Sequence, residues 1–271
     1  TNIPNTTEVR SISRYGLSVV TIVFEDDVDI MKARQFVAEQ LSIAKEEIPA
    51  EFGSPQMMPI TTGLGEIYQY ILQVKPGYEE QFDIMEIRTI QDWVVKRQLA
   101  GLKGIIEVSS FGGLVKQYEV SVDPLQLMAY NITINDVEQA LASNNNNSGG
   151  SYIEKNDQAF YIRTEGRAET FTDIENIVLN TEGSPVRIKD VATVKLGSPK
   201  RYGAMTMDGK GEVVGGITLM LKGANSSEAV ENVHERMELV QKSLPEGIEV
   251  YPYLDRSVLV GKTINTVLKN L

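Results

Sequence analysis

The sequence predicts an α+β fold assembled from repeated strand–helix–strand units, with a second α+β segment inserted between two of them. Three features carry that expectation. Runs rich in β-branched residues alternate with stretches whose apolar residues recur at steps of three and four. The strand–helix–strand order returns near the end of the chain after an interruption. The interrupting middle has strand and helix signals of its own and a polar run of serine, asparagine and glycine at 143–151.

In chain order, LSVVTIVFE (17–25) is dense in β-branched residues and reads as a strand. Ile30, Ala33, Val37, Leu41 and Ala44 then share one face of a helix, which the proline and glycine of IPAEFGSP end. EIYQYILQV (66–74) is a strand, and Ile87, Ile90, Val94 and Leu99 stripe the next helix, which carries the single tryptophan, Trp93. GIIEVSSFGG (104–113) is a strand broken by two glycines. Much later GGITLMLKG (215–223) repeats the strand signal. Asn225, with Glu228 three residues on, starts a helix striped by Val230, Val233, Met237, Val240 and Leu244. LPEGIEVYPYLD closes that unit as a turn and strand. AKEEIPAEFG (44–53) and VQKSLPEGIEV (240–250) match in form, each predicting a helix end, a proline turn and a strand. Repetition of this kind predicts ferredoxin-like subdomains whose helices cover one face of a mixed sheet.

The middle differs. KQYEVSVDP (116–124) is a strand, and NITINDVEQALAS is a short helix that Thr133 and Asp136 can start as a capping box. SNNNNSGGS (143–151) has nothing to bury and reads as an exposed turn or tip, with AFYIRTEG a strand leaving it. Thr172 and Glu175 can cap the brief helix of FTDIENIVL, and VRIKDVATVKLGSP supplies further strand. The sequence therefore predicts an inserted domain at 118–200 with a projecting hairpin.

Composition narrows the function. Lysine and arginine number 26 against 37 aspartates and glutamates, a net charge of −11, which argues against nucleic acid or an anionic membrane as the main partner. Cysteine is absent, excluding disulfides, thiolate metal sites and cysteine nucleophiles. The opening TNIPNTTEVR has neither a basic nor an apolar region of a signal peptide and lacks an initial methionine, so the sequence reads as a piece of a longer protein. No run approaches the roughly 20 apolar residues of a membrane-spanning helix. Val260, Ile264, Val267, Leu268 and Leu271 nonetheless keep helical spacing up to the last residue, as a helix cut midway would.

No catalytic set emerges. His234 is the only histidine, and one histidine builds neither a zinc site nor a triad, so it reads as a solvated helix residue. GKGEVVGG (209–216) lacks phosphate-loop order and reads as a hairpin turn. Asp26, Asp27 and Asp29 precede a helix without the later glutamate of a calcium loop. Met205 and Met207 share a face if extended, and Met57 and Met58 are adjacent, but soft-metal thioether sites take three or more ligands and core filling is the simpler role. No cofactor is expected.

Several long motifs in collinear order resemble one family. VRSISRYGLSVVTIVFEDDVDI, TTGLGEIYQYIL, IRTIQDWVVKRQL, VSSFGGLVKQYEVSVDP, VRIKDVATVKLG and LPEGIEVYPYLDRS resemble the resistance–nodulation–division efflux transporters, in particular their heavy-metal cation branch of copper/silver and cobalt–zinc–cadmium exporters. The resemblance spans essentially the whole chain and implies the first periplasmic loop of a homotrimeric, proton-driven pump of the bacterial inner membrane. It implies an incomplete first porter subdomain at 1–59 and a second porter subdomain split between 60–117 and 201–256. It also implies a docking subdomain at 118–200, whose hairpin reaches a neighbouring protomer, and the start of a transmembrane helix at 257–271. The implied partners are the other protomers, a periplasmic adaptor and an outer-membrane channel, with metal cations as transported substrate. Arg10 falls where the family places a basic residue near the substrate cleft; a plain surface arginine is the alternative. Tyr68 and Phe111 fall at aromatic positions of the deep pocket of drug-exporting relatives; core or interface roles are the alternative. The family's methionine set and proton-relay carboxylates belong to other regions. A free-standing ferredoxin-like binding or sensor protein, the equivalent loop of a multidrug exporter, and an enzyme on the same fold remain the competing readings.

Overall fold

The computed structural model describes residues 3–49, 52–62, 65–155, 158–164, 166–179 and 185–270. The fold is α+β, and the chain divides into two compact units, 1–60 and 61–271.

In the first unit, β1 (Thr6–Arg14) and β2 (Leu17–Phe24) form an antiparallel hairpin closed at Arg14–Leu17. Gly16 takes a left-handed φ of 76° in the turn, a conformation glycine adopts without steric cost. The sequence reading gave only the second of these strands. Both faces of β1 are exposed, so its residues carry no period-two apolar signal. Helix α1 (Ile30–Glu47) follows, and Asp29 Oδ1 caps it by accepting from the Met31 and Lys32 amides at 2.9 and 3.1 Å. The aspartate pattern before this helix thus includes a helix cap. The strand expected after the proline turn is not formed among residues 52–62. No neighbouring strand pairs with them, and Phe52 is exposed.

The second unit begins with β3 (Glu66–Val74), α2 (Ile84–Ile90), a π-helical turn (Gln91–Val95), α3 (Lys96–Leu99) and β4 (Ile105–Phe111). The buried helix residues are Ile87, Gln91, Val95 and Leu99, each four apart. The expected stripe of Ile87, Ile90, Val94 and Leu99 is therefore rotated, with Ile90 and Val94 only partly buried. An α-helix of 3.6 residues per turn drifts off a step of four; the wider π turn restores the phase, so both Gln91 and Val95 meet the core. Trp93 is left exposed, with the Arg97 guanidinium stacked 4.0 Å from its ring centre.

The inserted segment runs through β5 (Gln117–Val122), α4 (Pro124–Ala129), α5 (Ile134–Ser143), β6 (Ser148–Lys155), β7 (Gln158–Thr164), α6 (Phe171–Glu175), β8 (Val178–Leu179), β9 (Val186–Arg187), α7 (Ile188–Val191) and β10 (Ala192–Gly197). Strands β5 and β10 pair antiparallel and bring its two ends together. The Thr133–Asp136 capping box forms. Three expectations are corrected. The asparagine run is not the hairpin tip: β6 begins at Ser148, just after it, and pairs with β7 as far as Lys155 opposite Gln158. The asparagines instead tie the end of α5 down, Asn145 and Asn147 accepting from the Ala168 and Gly166 amides and Asn146 donating to Ala142 O. Helix α6 is capped by Thr170 with Asp173, two residues before the expected pair, which leaves Ile174 free to enter the core. The strand expected at 186–199 is interrupted by α7, because Ile188 and Val191, three apart, both have to be buried.

The unit ends with β11 (Val214–Met220), α8 (Ser226–Ser243), β12 (Ile248–Asp255) and α9 (Arg256–Asn270). The turn expected at 209–216 lies earlier and is shorter: Asp208 and Gly209 are left-handed between the bridged Thr206 and Glu212, and Val214–Gly216 already belong to β11. Asn225 caps α8 as expected, and Val230, Val233, Met237, Val240 and Leu244 are all buried. Leu271 lies outside the described residues. Among the described residues no helix is long and apolar enough to cross a membrane.

Strands β12, β3, β11 and β4 form one sheet in that order. Every pairing is antiparallel, so the sheet is not the mixed one expected. Each strand–helix–strand unit does have two parallel strands, but a strand of the other unit separates them. This interleaving is the split βαβ arrangement of ferredoxin-like folds. One apolar cluster joins this sheet to α2, α3 and α8; a second, separate cluster lies within the insertion around Leu179, Ile188 and Val191. Leu99 is fully buried in the first cluster. Leu99→Ala is expected to cost about 2–5 kcal/mol in urea unfolding of the chain, whereas a loss below about 0.5 kcal/mol would show that α3 does not anchor this core.

Candidate functional site

A cleft of about 480 Å³ lies in the second unit where β4 ends and β11 begins. Phe111, Met205 and Tyr253 give it apolar and polarisable walls, and Gly112, Gly215 and Gly216 give it bare backbone. The bare backbone is a packing requirement. A Cβ on Gly112, whose φ is 72°, would fall 2.0 Å from the Val213 carbonyl oxygen. One on Gly216 would fall 2.4 Å from the Tyr70 hydroxyl.

Cross-strand register explains which residues reach the cleft. Gly215 pairs with both Phe111 and Ile71, and Ile71 with Tyr251, so these four share one face of the sheet. Tyr68, Tyr70 and Leu72 lie on the opposite face, against the helices, in the apolar cluster. Beneath the cleft, Gln91 Nε2 donates to the Tyr70 hydroxyl at 3.0 Å and to Ser110 Oγ at 3.3 Å.

The charges near the cleft are paired. Arg88 Nε donates to Asp92 Oδ2 at 2.8 Å and its Nη1 to Gly112 O at 2.5 Å, so the guanidinium pins the strand end. Glu212 accepts from Arg201 and, at 2.9 Å, from the Gly113 amide. The Arg201 hydrogen bond holds its carboxyl below the usual range, against a smaller desolvation that acts the other way. No cleft-lining side chain forms a nucleophile–base pair. Among the described residues no group of three histidines, cysteines or acids converges to hold a metal. The cleft is built for non-covalent contact through aromatic faces, one thioether and backbone.

Of the three residues singled out in the sequence, Phe111 and Tyr68 lie on opposite faces of the sheet of the second unit, and Arg10 belongs to the first unit. Phe111 is half exposed in the cleft. Tyr68 is 5 % exposed on the other face, its ring edge-on to His234 with centroids 5.4 Å apart. Arg10 is exposed on β1 of the first unit, 3.8 Å from Glu8. Arg88 and Tyr253, which line the cleft, gave no distinguishing signal: one lies on a helix stripe, the other in an alternating strand. Met205 lines the cleft, while Met207 lies partly buried in the following turn. His234 is not simply solvated, for its Nε2 lies 2.7 Å from Asp255 Oδ2.

Burial, helped by the charge of Asp255, pushes the Tyr68 phenol up to about 12. Burial likewise raises Tyr70 well above its usual range. A raised phenol contributes stability that is complete below its unfolded value of about 10 and is lost as pH rises through its folded value. Ultraviolet titration of tyrosinate is therefore expected to show Tyr68, identified by its absence in Tyr68→Phe, ionising only near 12. Ionisation with the exposed tyrosines near 10 would refute the buried placement.

Comparison with known proteins completes the description. The sequence profile of the AcrB/AcrD/AcrF family matches residues 1–271. The chain is 44% identical to protein HelA of Legionella pneumophila over 272 residues, covering 99% of this chain and 26% of that protein. It is 40% identical to the cobalt-zinc-cadmium resistance protein CzcA of Cupriavidus metallidurans, covering 99% and 26%. It is 36% identical to the cation efflux system protein CusA of Escherichia coli, covering 98% and 25%. A crystal structure of a heavy metal efflux pump matches with a TM-score of 0.86 at 36% identity, over 100% of this chain and 26% of that one. A second crystal form gives 0.82 at 33% identity, over 100% and 25%. The chain thus spans about a quarter of the length of the relatives it matches.

Proposed function

The chain belongs to the AcrB/AcrD/AcrF family, and we propose that it forms porter and docking walls of a proton-driven heavy-metal cation efflux pump. The observation that carries this reading is the end-to-end match, in sequence and in fold, to proteins named for heavy-metal resistance and efflux. Residues 1–59 would be part of a first porter subdomain, and 60–117 with 201–256 a second one, built on the split sheet. Residues 118–200 would be the docking subdomain, supported by its separate buried cluster. Residues 257–271, of which 257–270 lie in α9, would lead into a membrane helix. The chain would lie on the periplasmic side of a bacterial inner membrane, contact the other protomers of a homotrimer, and work with a periplasmic adaptor and an outer-membrane channel.

In this role the chain does no covalent chemistry. Metal cations pass as substrate, and Phe111, with its cleft, lines their path. Tyr68 supports that wall from within the core, and Arg10 stands as the basic residue of the outer cleft. The paired charges of Arg88 and Glu212 fit a wall that keeps its shape while cargo moves past. A free-standing metal sensor would need a converging ligand set, which the described residues lack.

The test is metal tolerance. The parent gene, expressed in a bacterium stripped of its own metal exporters, is expected to restore growth on cobalt, zinc and cadmium or on copper and silver. Phe111→Arg, at a half-exposed position, is expected to lower that tolerance while the pump is still made. A parent that lacks apolar segments of roughly 20 residues flanking this chain, or that confers no tolerance to any of these metals, would sink the reading.

A further inference from the structure

A second groove of the same unit, about 550 Å³, lies between α8 and β12 and shares no lining residue with the Phe111 cleft. It holds the only histidine of the chain. His234 Nε2 and Asp255 Oδ2 are 2.7 Å apart. At that distance the imidazole and the carboxylate form an ion pair or hydrogen bond when Nε2 carries a proton. When Nε2 is bare, a metal cation can take the proton's place between the two atoms. We infer that His234 and Asp255 form a modest-affinity site for a divalent first-row transition-metal ion such as Zn²⁺ or Cu²⁺.

The geometry is close to what such an ion needs. Imidazole nitrogen and carboxylate oxygen bind Zn²⁺ at about 2.0–2.2 Å, which sets the two donors roughly 3 Å apart. An opening of a few tenths of an ångström in a half-exposed pair supplies the difference. The carboxylate is already held from behind, as metal ligands usually are. Asp255 Oδ1 accepts from the Ser257 amide at 2.8 Å at the start of α9, which leaves Oδ2 turned to the histidine. The imidazole rests edge-on against Tyr68.

One further donor lies in the groove: Glu238, one helical turn beyond His234 on the same face of α8. Gln241 also lines the groove but is committed to β12, its Oε1 accepting from the Val250 amide at 2.8 Å. The open volume admits waters to complete the coordination. Only two donors converge, since no set of three does among the described residues, and Lys242 lines the same groove. Both facts keep the affinity modest, in the micromolar range or weaker. The inference rests on this local geometry and not on the transport reading.

Calorimetric titration of the chain with Zn²⁺ tests it, together with Cu²⁺ electron paramagnetic resonance. One ion per chain is expected, and Cu²⁺ is expected to show coupling to an imidazole nitrogen, which here can come only from His234. His234→Ala and Asp255→Asn are each expected to weaken Zn²⁺ binding roughly tenfold or more. Asp255→Asn keeps an amide oxygen for the Ser257 amide, so it preserves the start of α9 if the alanine variant folds poorly. Zn²⁺ binding unchanged in Asp255→Asn, or Cu²⁺ spectra of the native chain without imidazole coupling, would overturn the inference. A tight site surviving both substitutions would overturn it too, and would favour a sensor over a transporter wall.

Discussion

Strand β11 lies between β3 and β4, and the rest of the second unit depends on that insertion. Its hydrogen bonds reach far along the sequence: Thr218 Oγ1 donates to Tyr68 O at 3.0 Å, across 150 residues. Such a pairing carries a closure cost that local contacts do not. It is offset by the apolar cluster that α2, α3 and α8 bury against the completed sheet. Without β11, β3 and β4 are two parallel strands with a gap between them, and neither unit has a face to bury.

The cleft follows from the same insertion. Placing β11 between two strands sets its Gly215 and Gly216 against Tyr70, and Gly112 just after β4 against Val213, where no Cβ fits, and so leaves bare backbone at all three. Phe111 and Tyr253 then project beside a floor they do not fill. The insertion of 118–200 is tolerated because β5 and β10 pair and return the chain close to where it left. It keeps its own buried cluster, so it adds a second surface without disturbing the first.

Much of this is legible in the sequence. The strand signals of EIYQYILQV, GIIEVSSFGG and GGITLMLKG are strong because these strands are buried or half-buried in one sheet, and the α8 stripe is clean because a single face meets the core. What failed has physical causes. β1 is exposed on both sides and β6 opens on serine and glycine, so neither has a pattern to read. The π turn is invisible to a search at 3.6 residues per turn, and it hid Gln91, a buried polar residue in an apolar stripe. The antiparallel character of the sheet depends on interleaving, which no local pattern records. The cleft was only partly visible, through Phe111; Arg88 and Tyr253 become site residues by register and not by residue type. His234 read as solvated because Asp255, its partner, is 21 residues away on another element.

The central claim is that one sheet, closed by β11, scaffolds the unit while the insertion keeps a separate core. Amide hydrogen exchange on Gly216→Val, where the added side chain has no room, tests this most directly. Protection is expected to fall together in β3, β4, β11 and β12 and to persist around Leu179, Ile188 and Val191. Equal loss in both regions, or loss confined to β11, would contradict it.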